Sequence, residues 1–165
     1  MQRIFTLALL ILAAANVQAV DSVSAELGHG SRKVDMGRVG AQWNQNPAWL
    51  AGTRWSLAWD AALGAWHSDA GTLYDLGLTP VLRYAPSSHG AYADGGIGFH
   101  LLSSTHISSA LDFSTRFQFG DHLGVGYRFG RYDLALRLQH LSNAGIRNPN
   151  PGINFLELRL GYELR

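Results

Sequence analysis

The chain has 165 residues, with 13 Lys and Arg, 12 Asp and Glu, 19 Gly and no Cys. Its length fits one domain, the lack of cysteine excludes a disulfide scaffold, and the scattered, balanced charge excludes nucleic acid as a partner. The abundant glycine and aromatic residues favour strands and turns over helices.

Residues 1–19 have the features of a secretory signal peptide. Arg3 precedes the apolar run Ile4–Ala15, and small residues two apart end this segment at Ala19, as signal peptidase requires. The apolar run is too short to cross a bilayer as a helix. We therefore expect cleavage after Ala19, with residues 20–165 forming the exported domain. A retained N-terminal anchor is the alternative.

Beyond this segment, apolar and polar residues alternate with a period of two, which predicts strands. The alternation is irregular in the first strands, where glycines are frequent, and it is clearest at 113–129. The approximate strands are 22–29, 33–43, 53–66, 74–85, 90–102, 112–129, 131–143 and 153–164.

In the last two predicted strands, one face carries leucines and the other carries charged residues. The charged residues on these faces include Arg137, Glu157, Arg159 and Glu163. A soluble sandwich would bury the leucines in a core, whereas an outer-membrane barrel would turn them to lipid and the charges into the lumen. Periodicity alone does not separate the two.

Three features favour the membrane barrel: the signal peptide, strands long enough to span a membrane, and aromatic residues near strand ends. We expect an all-β, eight-stranded antiparallel transmembrane barrel in the outer membrane, with its termini in the periplasm and the 143–152 loop outside the cell. A barrel of this size is filled by its own side chains, so the charged residues should pair inside it. The tryptophans expected at the membrane interfaces or against lipid are Trp43, Trp49, Trp55, Trp59 and Trp66.

A polar pair ends the lipid-facing side of the seventh predicted strand. His140 and Ser142 are two residues apart, so they share the face of Leu136 and Leu138. Neighbouring side chains on one face can come within hydrogen-bonding reach, which is what a histidine needs to activate a serine. Taken alone, the pair is more simply explained as two polar residues at a strand end where water begins.

The stretch HLSNAGIRNPNPGIN, residues 140–154, resembles the active-site segment of the PagL-type lipid A 3-O-deacylases, whose motif is His-x-Ser-Asn-Ala-Gly. The resemblance implies a serine esterase that removes the 3-O-linked acyl chain from lipid A of lipopolysaccharide, in contact with outer-membrane lipid. It implies Ser142 as the nucleophile and His140 as the general base. It also implies oxyanion or substrate-binding roles around Asn143, Gly145 and Asn150, although the two asparagines are equally typical of turns.

The chain departs from this family where the third member of the triad is expected. The family pattern has a Glu at this position, and here the residue is Asn154. By parity, Asn154 shares the leucine face of the last strand, whereas Glu157 points the opposite way. We therefore predict a Ser142–His140–Asn154 triad in which Asn154 orients the histidine without adding charge. Loss of activity is the alternative.

Two other functions remain open at this point. One is a catalytically silent barrel with a structural or adhesive role, and the other is a lipid A acyltransferase that holds its donor inside the barrel. The remaining histidines lack metal-ligand spacing, so we expect neither a metal nor a cofactor. The sequence leaves open whether the barrel forms a homodimer.

Overall fold

The structure is a computed structural model that describes residues 19–45, 47–109 and 111–165. The predicted signal peptide lies almost wholly outside these residues and remains a prediction. No helix within the described ranges is long and apolar enough to cross a membrane.

Eight long strands form a closed barrel in which every neighbouring pair is antiparallel. In chain order the barrel strands are β1 (Ser22–Gly30), β2 (Val34–Gln45), β3 (Trp55–Ser68), β4 (Gly71–Tyr84), β5 (Gly90–Leu102), β8 (Phe117–Phe129), β9 (Tyr132–Ser142) and β10 (Ile153–Glu163). A short 3-10 helix, Ala48–Leu50, precedes β3. β10 pairs with β1 and closes the barrel, so the all-β, eight-stranded prediction is confirmed.

The connection between β5 and β8 differs from the prediction. The sixth predicted strand began at residue 112, but the barrel strand begins at Phe117. Residues 103–116, which we call the cap segment, instead carry a hairpin of β6 (His106–Ser108) and β7 (Leu111–Asp112). The chain leaves the wall here because Ile107, Leu111 and Phe113 are buried in the core.

The interior of the barrel is polar at mid-height and apolar beneath the cap segment. At mid-height, Arg38 pairs with Glu157 at 2.7 Å, and Arg159, fully buried, pairs with Asp133 at 2.6 Å. Buried charges are tolerated only when paired in this way. The predicted internal pairing is confirmed for Arg137, Glu157 and Arg159. It is wrong for Glu163, which lies at the end of β10 and makes no ion pair with any described residue.

The apolar core closes the barrel end that carries the cap segment and the 143–152 loop, which we call the loop end. Trp66 is 1% exposed and packs against Phe155 with ring centroids 4.8 Å apart. The prediction that Trp66 faces lipid is therefore wrong, because its position on β3 points inward where the lumen is apolar. Trp49, Trp55 and Trp59 are exposed, as predicted.

The outer wall is apolar around its circumference. Its large exposed side chains include Leu27, Val39, Leu63, Leu76, Leu78, Ile97, Leu123, Val125, Leu136, Leu138, Leu156 and Leu158. A continuous apolar band of this extent indicates a surface covered by lipid.

Candidate active site

The predicted catalytic residues lie on the outer wall, near the loop end of β8, β9 and β10. The β9–β10 pairing places Asn154 directly opposite His140. The β8–β9 pairing places Asp121 opposite His140 on the other side, and Phe119 opposite Ser142. These side chains share the lipid-facing side of the barrel because strand residues two apart point the same way.

His140 is held by Asn154. Its Nδ1 lies 2.7 Å from the Asn154 Oδ1. A carbonyl oxygen only accepts hydrogen bonds, so Nδ1 is the donor in this contact, and in the neutral form of the ring Nε2 is then the acceptor. This is the tautomer that a general base acting through Nε2 needs.

Gly152 lies directly beside the His140 ring. A Cβ added to this glycine would be 2.7 Å from Cε1 and 3.2 Å from Nε2 of His140. The backbone at Gly152 also has a φ of +62°, a left-handed conformation that favours glycine. The position of the imidazole ring therefore depends on the absence of a side chain at residue 152.

Ser142 follows His140 on the same face. Its Oγ accepts a long hydrogen bond of 3.4 Å from the Ala144 N–H. The described atoms of Ser142 and His140 do not form a hydrogen bond with each other. Catalytic hydrogen bonds are often loose before substrate binds and tighten in the reacting complex. The arrangement thus puts an imidazole and a hydroxyl group, the predicted base and nucleophile, on neighbouring positions of one strand face.

The 143–152 loop is held by its asparagines. The Asn143 N–H donates to the Asn150 Oδ1 and the Gly145 N–H donates to the Asn143 Oδ1, each at 2.9 Å. The Asn143 Nδ2 donates to the Ser114 Oγ and to the Arg147 carbonyl, each at 2.8 Å. The buried Asn143 therefore ties the loop to the cap segment.

These bonds determine which donors near Ser142 are available to an oxyanion. The backbone N–H groups of Asn143 and Gly145, both predicted as donors, are occupied within the loop. The Asn150 Oδ1 is held by a backbone N–H, so its NH₂ group is left to donate, and no described residue accepts from it. The Ala144 N–H is the other candidate, because only the long contact to Ser142 occupies it.

Asp121 is a residue that the sequence analysis missed. It is exposed on the outer wall, next to His140 across the strand pair, and none of the described cationic groups forms an ion pair with it. A signal was present in the sequence, since Asp121 is the one acidic residue on the mostly apolar face of β8. That pattern alone does not show which residue of β9 lies opposite.

An apolar surface adjoins Ser142. Phe99, Phe117 and Phe119 form a cluster with ring centroids 5.1 to 5.9 Å apart. Further down the wall, β8, β9 and β10 border a shallow groove. Its outward-facing lining residues are Leu123, Val125, Leu136, Leu138 and Leu156. Both features suit an acyl chain approaching from the lipid.

Within the described ranges, no three His, Asp or Glu side chains are grouped so that they could hold a metal ion. His100 lies inside the barrel, 1% exposed, and its Nδ1 is 2.9 Å from Asp75. His100 is therefore a residue that fills the lumen.

Comparison with known proteins relates the chain to a single family. The family model described as "Lipid A 3-O-deacylase (PagL)" matches residues 35–163. The lipid A deacylase PagL of Pseudomonas aeruginosa is 30% identical over 151 residues, covering 87% of this chain and 86% of that protein. The lipid A deacylase PagL of Bordetella bronchiseptica is 34% identical over 108 residues, and the match covers 61% of this chain and 60% of that protein.

Solved structures agree with these matches. A crystal structure of the outer membrane enzyme PagL superposes with a TM-score of 0.77 and 26% identity, covering 87% of this chain and 99% of that one. Neisserial surface protein A, at 15% identity and a TM-score of 0.55, shares the fold alone, with 86% and 96% coverage. The chain belongs to the lipid A 3-O-deacylase (PagL) family of outer-membrane β-barrel enzymes.

Proposed function

We propose that this protein hydrolyses the ester that joins the 3-O-linked acyl chain to lipid A of lipopolysaccharide, with Ser142 as the nucleophile. The observation that carries the proposal is the His140–Asn154 hydrogen bond of 2.7 Å beside Ser142 on the lipid-facing wall. A base oriented in this way next to a hydroxyl group is the arrangement of a serine esterase.

The proposal orients the barrel with its loop end outside the cell. Lipopolysaccharide occupies the outer leaflet, so its acyl esters then lie at the depth of Ser142. The substrate reaches the site sideways from the membrane, and the apolar groove along β8–β10 takes up hydrocarbon. One barrel suffices for the chemistry because every proposed residue comes from a single chain. The proposal therefore assigns no role to a homodimer.

The reaction follows two steps. The His140 Nε2 takes the Ser142 hydroxyl proton while Oγ attacks the ester carbonyl, and the oxyanion is stabilised by the Ala144 N–H and the Asn150 NH₂. Collapse of this intermediate releases the lipid A hydroxyl, which takes the proton from His140. A water molecule, deprotonated by His140, then attacks the acyl-enzyme, which releases the free fatty acid and restores Ser142. Each proton in this scheme passes through His140, so the steps need no cofactor.

Asn154 contributes orientation and no charge. Its amide oxygen keeps the proton on the His140 Nδ1, as the asparagine of a Cys-His-Asn protease does. A carboxylate in the same place would also stabilise the imidazolium that forms during the reaction. Asn154 alone therefore supports a slower enzyme than a glutamate would.

The filled lumen argues against the acyltransferase alternative. An enzyme of that kind holds its acyl donor inside the barrel, but here Arg38, Arg137 and Arg159 occupy the interior in ion pairs with buried carboxylates. The remaining competitor is the catalytically silent barrel.

Mass spectrometry of lipid A from cells that express the protein tests the proposal. Wild type is expected to remove one 3-O-linked acyl chain, and Ser142→Ala is expected to leave lipid A intact at an equal barrel level in the membrane. Ser88→Ala, at the opposite barrel end, is the matched control and should behave as wild type. Unchanged lipid A with the folded wild type, also in detergent, would favour the silent barrel.

A further inference from the structure

We propose that Asp121 supplies the negative charge that Asn154 lacks, and that it stabilises the His140 imidazolium from the opposite strand. This inference rests on the proposed esterase function. It deepens that function by assigning the anionic member of the catalytic group to β8 instead of β10.

Strand register brings the three residues into one row. Asp121 on β8 and Asn154 on β10 are each directly opposite His140 on β9. Directly opposed residues of antiparallel strands have Cβ atoms about 4.5–5.5 Å apart. Because all three side chains face outward, His140 is flanked by an amide on one side and by a carboxylate on the other.

The environment of Asp121 indicates a functional carboxylate. Its neighbour on β5 is Ile97 and the next outward residue of β8 is Leu123, both highly exposed on the apolar wall. An ionisable side chain in such a band destabilises the barrel, so its presence there points to a function. The buried carboxylates Glu26 and Asp94 differ, because they face the lumen and pair with arginines.

The other charges near His140 do not provide an anion on this face. Arg137 and Glu157, on the same pair of strands, point into the lumen. The remaining charged residues at this part of the loop end are the cations Arg32, Lys33 and Arg147 and the anion Asp35. Asp35 lies three strands away from His140, on β2, and its carboxylate is 2.6 Å from the His29 Nδ1. Asp121 is thus the carboxylate that faces His140 from an adjacent strand.

Asp121 acts through His140: its negative charge stabilises the protonated ring and it does not contact the reacting atoms. When Nε2 takes the serine proton, the ring becomes positive between the Asn154 oxygen and the Asp121 carboxylate, and Asp121 itself takes no proton. For charges several ångströms apart at an effective dielectric constant of about 20, this attraction corresponds to roughly a 10- to 50-fold change in rate.

A double-mutant cycle tests the inference: wild type, Asp121→Asn, Asn154→Glu and the double variant, assayed on lipid A in detergent across pH. We expect Asp121→Asn to lower kcat by about 10- to 50-fold and to move the acid limb of the pH–rate profile to lower pH, because the protonated ring loses its anion. In the Asn154→Glu background, Asp121→Asn should lower kcat by no more than a few-fold, because Glu at residue 154 already supplies a negative charge. Asp35→Asn, which removes a carboxylate at the same barrel end on β2, is the matched control and should change neither quantity.

An equal loss in both backgrounds would overturn the inference, as would a rise in KM with an unmoved acid limb, because either result would mean that Asp121 contacts substrate or supports the wall. Asp121→Glu keeps the charge, so it should retain the wild-type acid limb, and a displaced limb in this variant would also count against the inference. Heat-modifiable migration on gels verifies that each barrel is folded. Inactivity of the folded wild type would refute the esterase itself, a result distinct from the failure of Asp121.

Discussion

Gly152→Ala should inactivate the enzyme while leaving the barrel folded. The new methyl group would lie 2.7 Å from Cε1 of His140, closer than real Cβ atoms approach other heavy atoms, and 3.2 Å from Nε2, which is also a tight contact. The ring is then displaced, and the 2.7 Å bond to Asn154 breaks. Displacing a catalytic group by about 1 Å costs roughly 100-fold in rate, so we expect kcat to fall by at least that factor.

The same substitution also strains the backbone, and this effect needs its own control. At a φ of +62°, an alanine is destabilised by about 1–2 kcal/mol. Gly130→Ala carries the same strain, since Gly130 has a φ of +60° and a Cβ there would meet nothing within 4 Å. It lies in the β8–β9 turn, at the barrel end opposite to His140.

Fatty-acid release from lipid A and thermal unfolding, measured on both variants, separate the two effects. The stability loss should be similar in both proteins, and the loss of kcat should be confined to Gly152→Ala. If Gly152→Ala retains the activity of Gly130→Ala, the ring of His140 does not depend on this glycine and the reasoning is refuted.

Three further predictions concern the surroundings of the site. Asn154→Ala should lower kcat by about 10- to 100-fold because the His140 tautomer is no longer held. Steady-state kinetics over a range of lipid A concentrations measure this loss, and a loss smaller than about ten-fold would contradict the proposed role of Asn154. Ser114→Ala removes two hydrogen bonds between the cap segment and the 143–152 loop, one from the Asn143 Nδ2 and one to the Arg147 carbonyl. At a net loss of about 1 kcal/mol, kcat should fall about five-fold with little change in KM. Hydrogen bonds from Ser109 hold the pKa of the Asp69 carboxyl below its usual value, so they stabilise the cap at neutral pH and this support is lost as pH falls through the lowered pKa. Protection of the cap-segment amides against hydrogen exchange, corrected for the intrinsic pH dependence of the exchange rate, should therefore fall in acid, and Ser109→Ala should flatten that pH dependence.

The outward or inward direction of each strand residue could be predicted from parity, because a strand has an exact period of two. Parity predicts that His140, Ser142 and Asn154 lie on the outer face and that Arg137, Arg159 and Glu157 point inside. The structure confirms these directions. The neighbouring positions of His140 and Asn154 followed from the order of the last two strands. Local alternation therefore carries most of the information about this site.

What could not be predicted depends on contacts between distant parts of the chain. Residues 113–116 continue the alternation, yet they leave the wall because Phe113 is buried in the apolar core that closes the loop end. Trp66 is typical of a membrane interface by residue type, but the lumen is apolar at its height. Asp121 was overlooked because its partner on β9 is set by inter-strand register, which no single strand reveals.

The central claim is that Ser142 attacks the 3-O-acyl ester from the lipid-facing wall and that water completes the reaction. It is tested most directly by incubating the purified barrel with lipid A in ¹⁸O-labelled water and analysing the released acid by mass spectrometry. We predict that wild type releases one 3-hydroxy fatty acid carrying ¹⁸O and that Ser142→Ala releases none. Equal release by Ser142→Ala, or transfer of the chain to another lipid without ¹⁸O incorporation, would contradict the account.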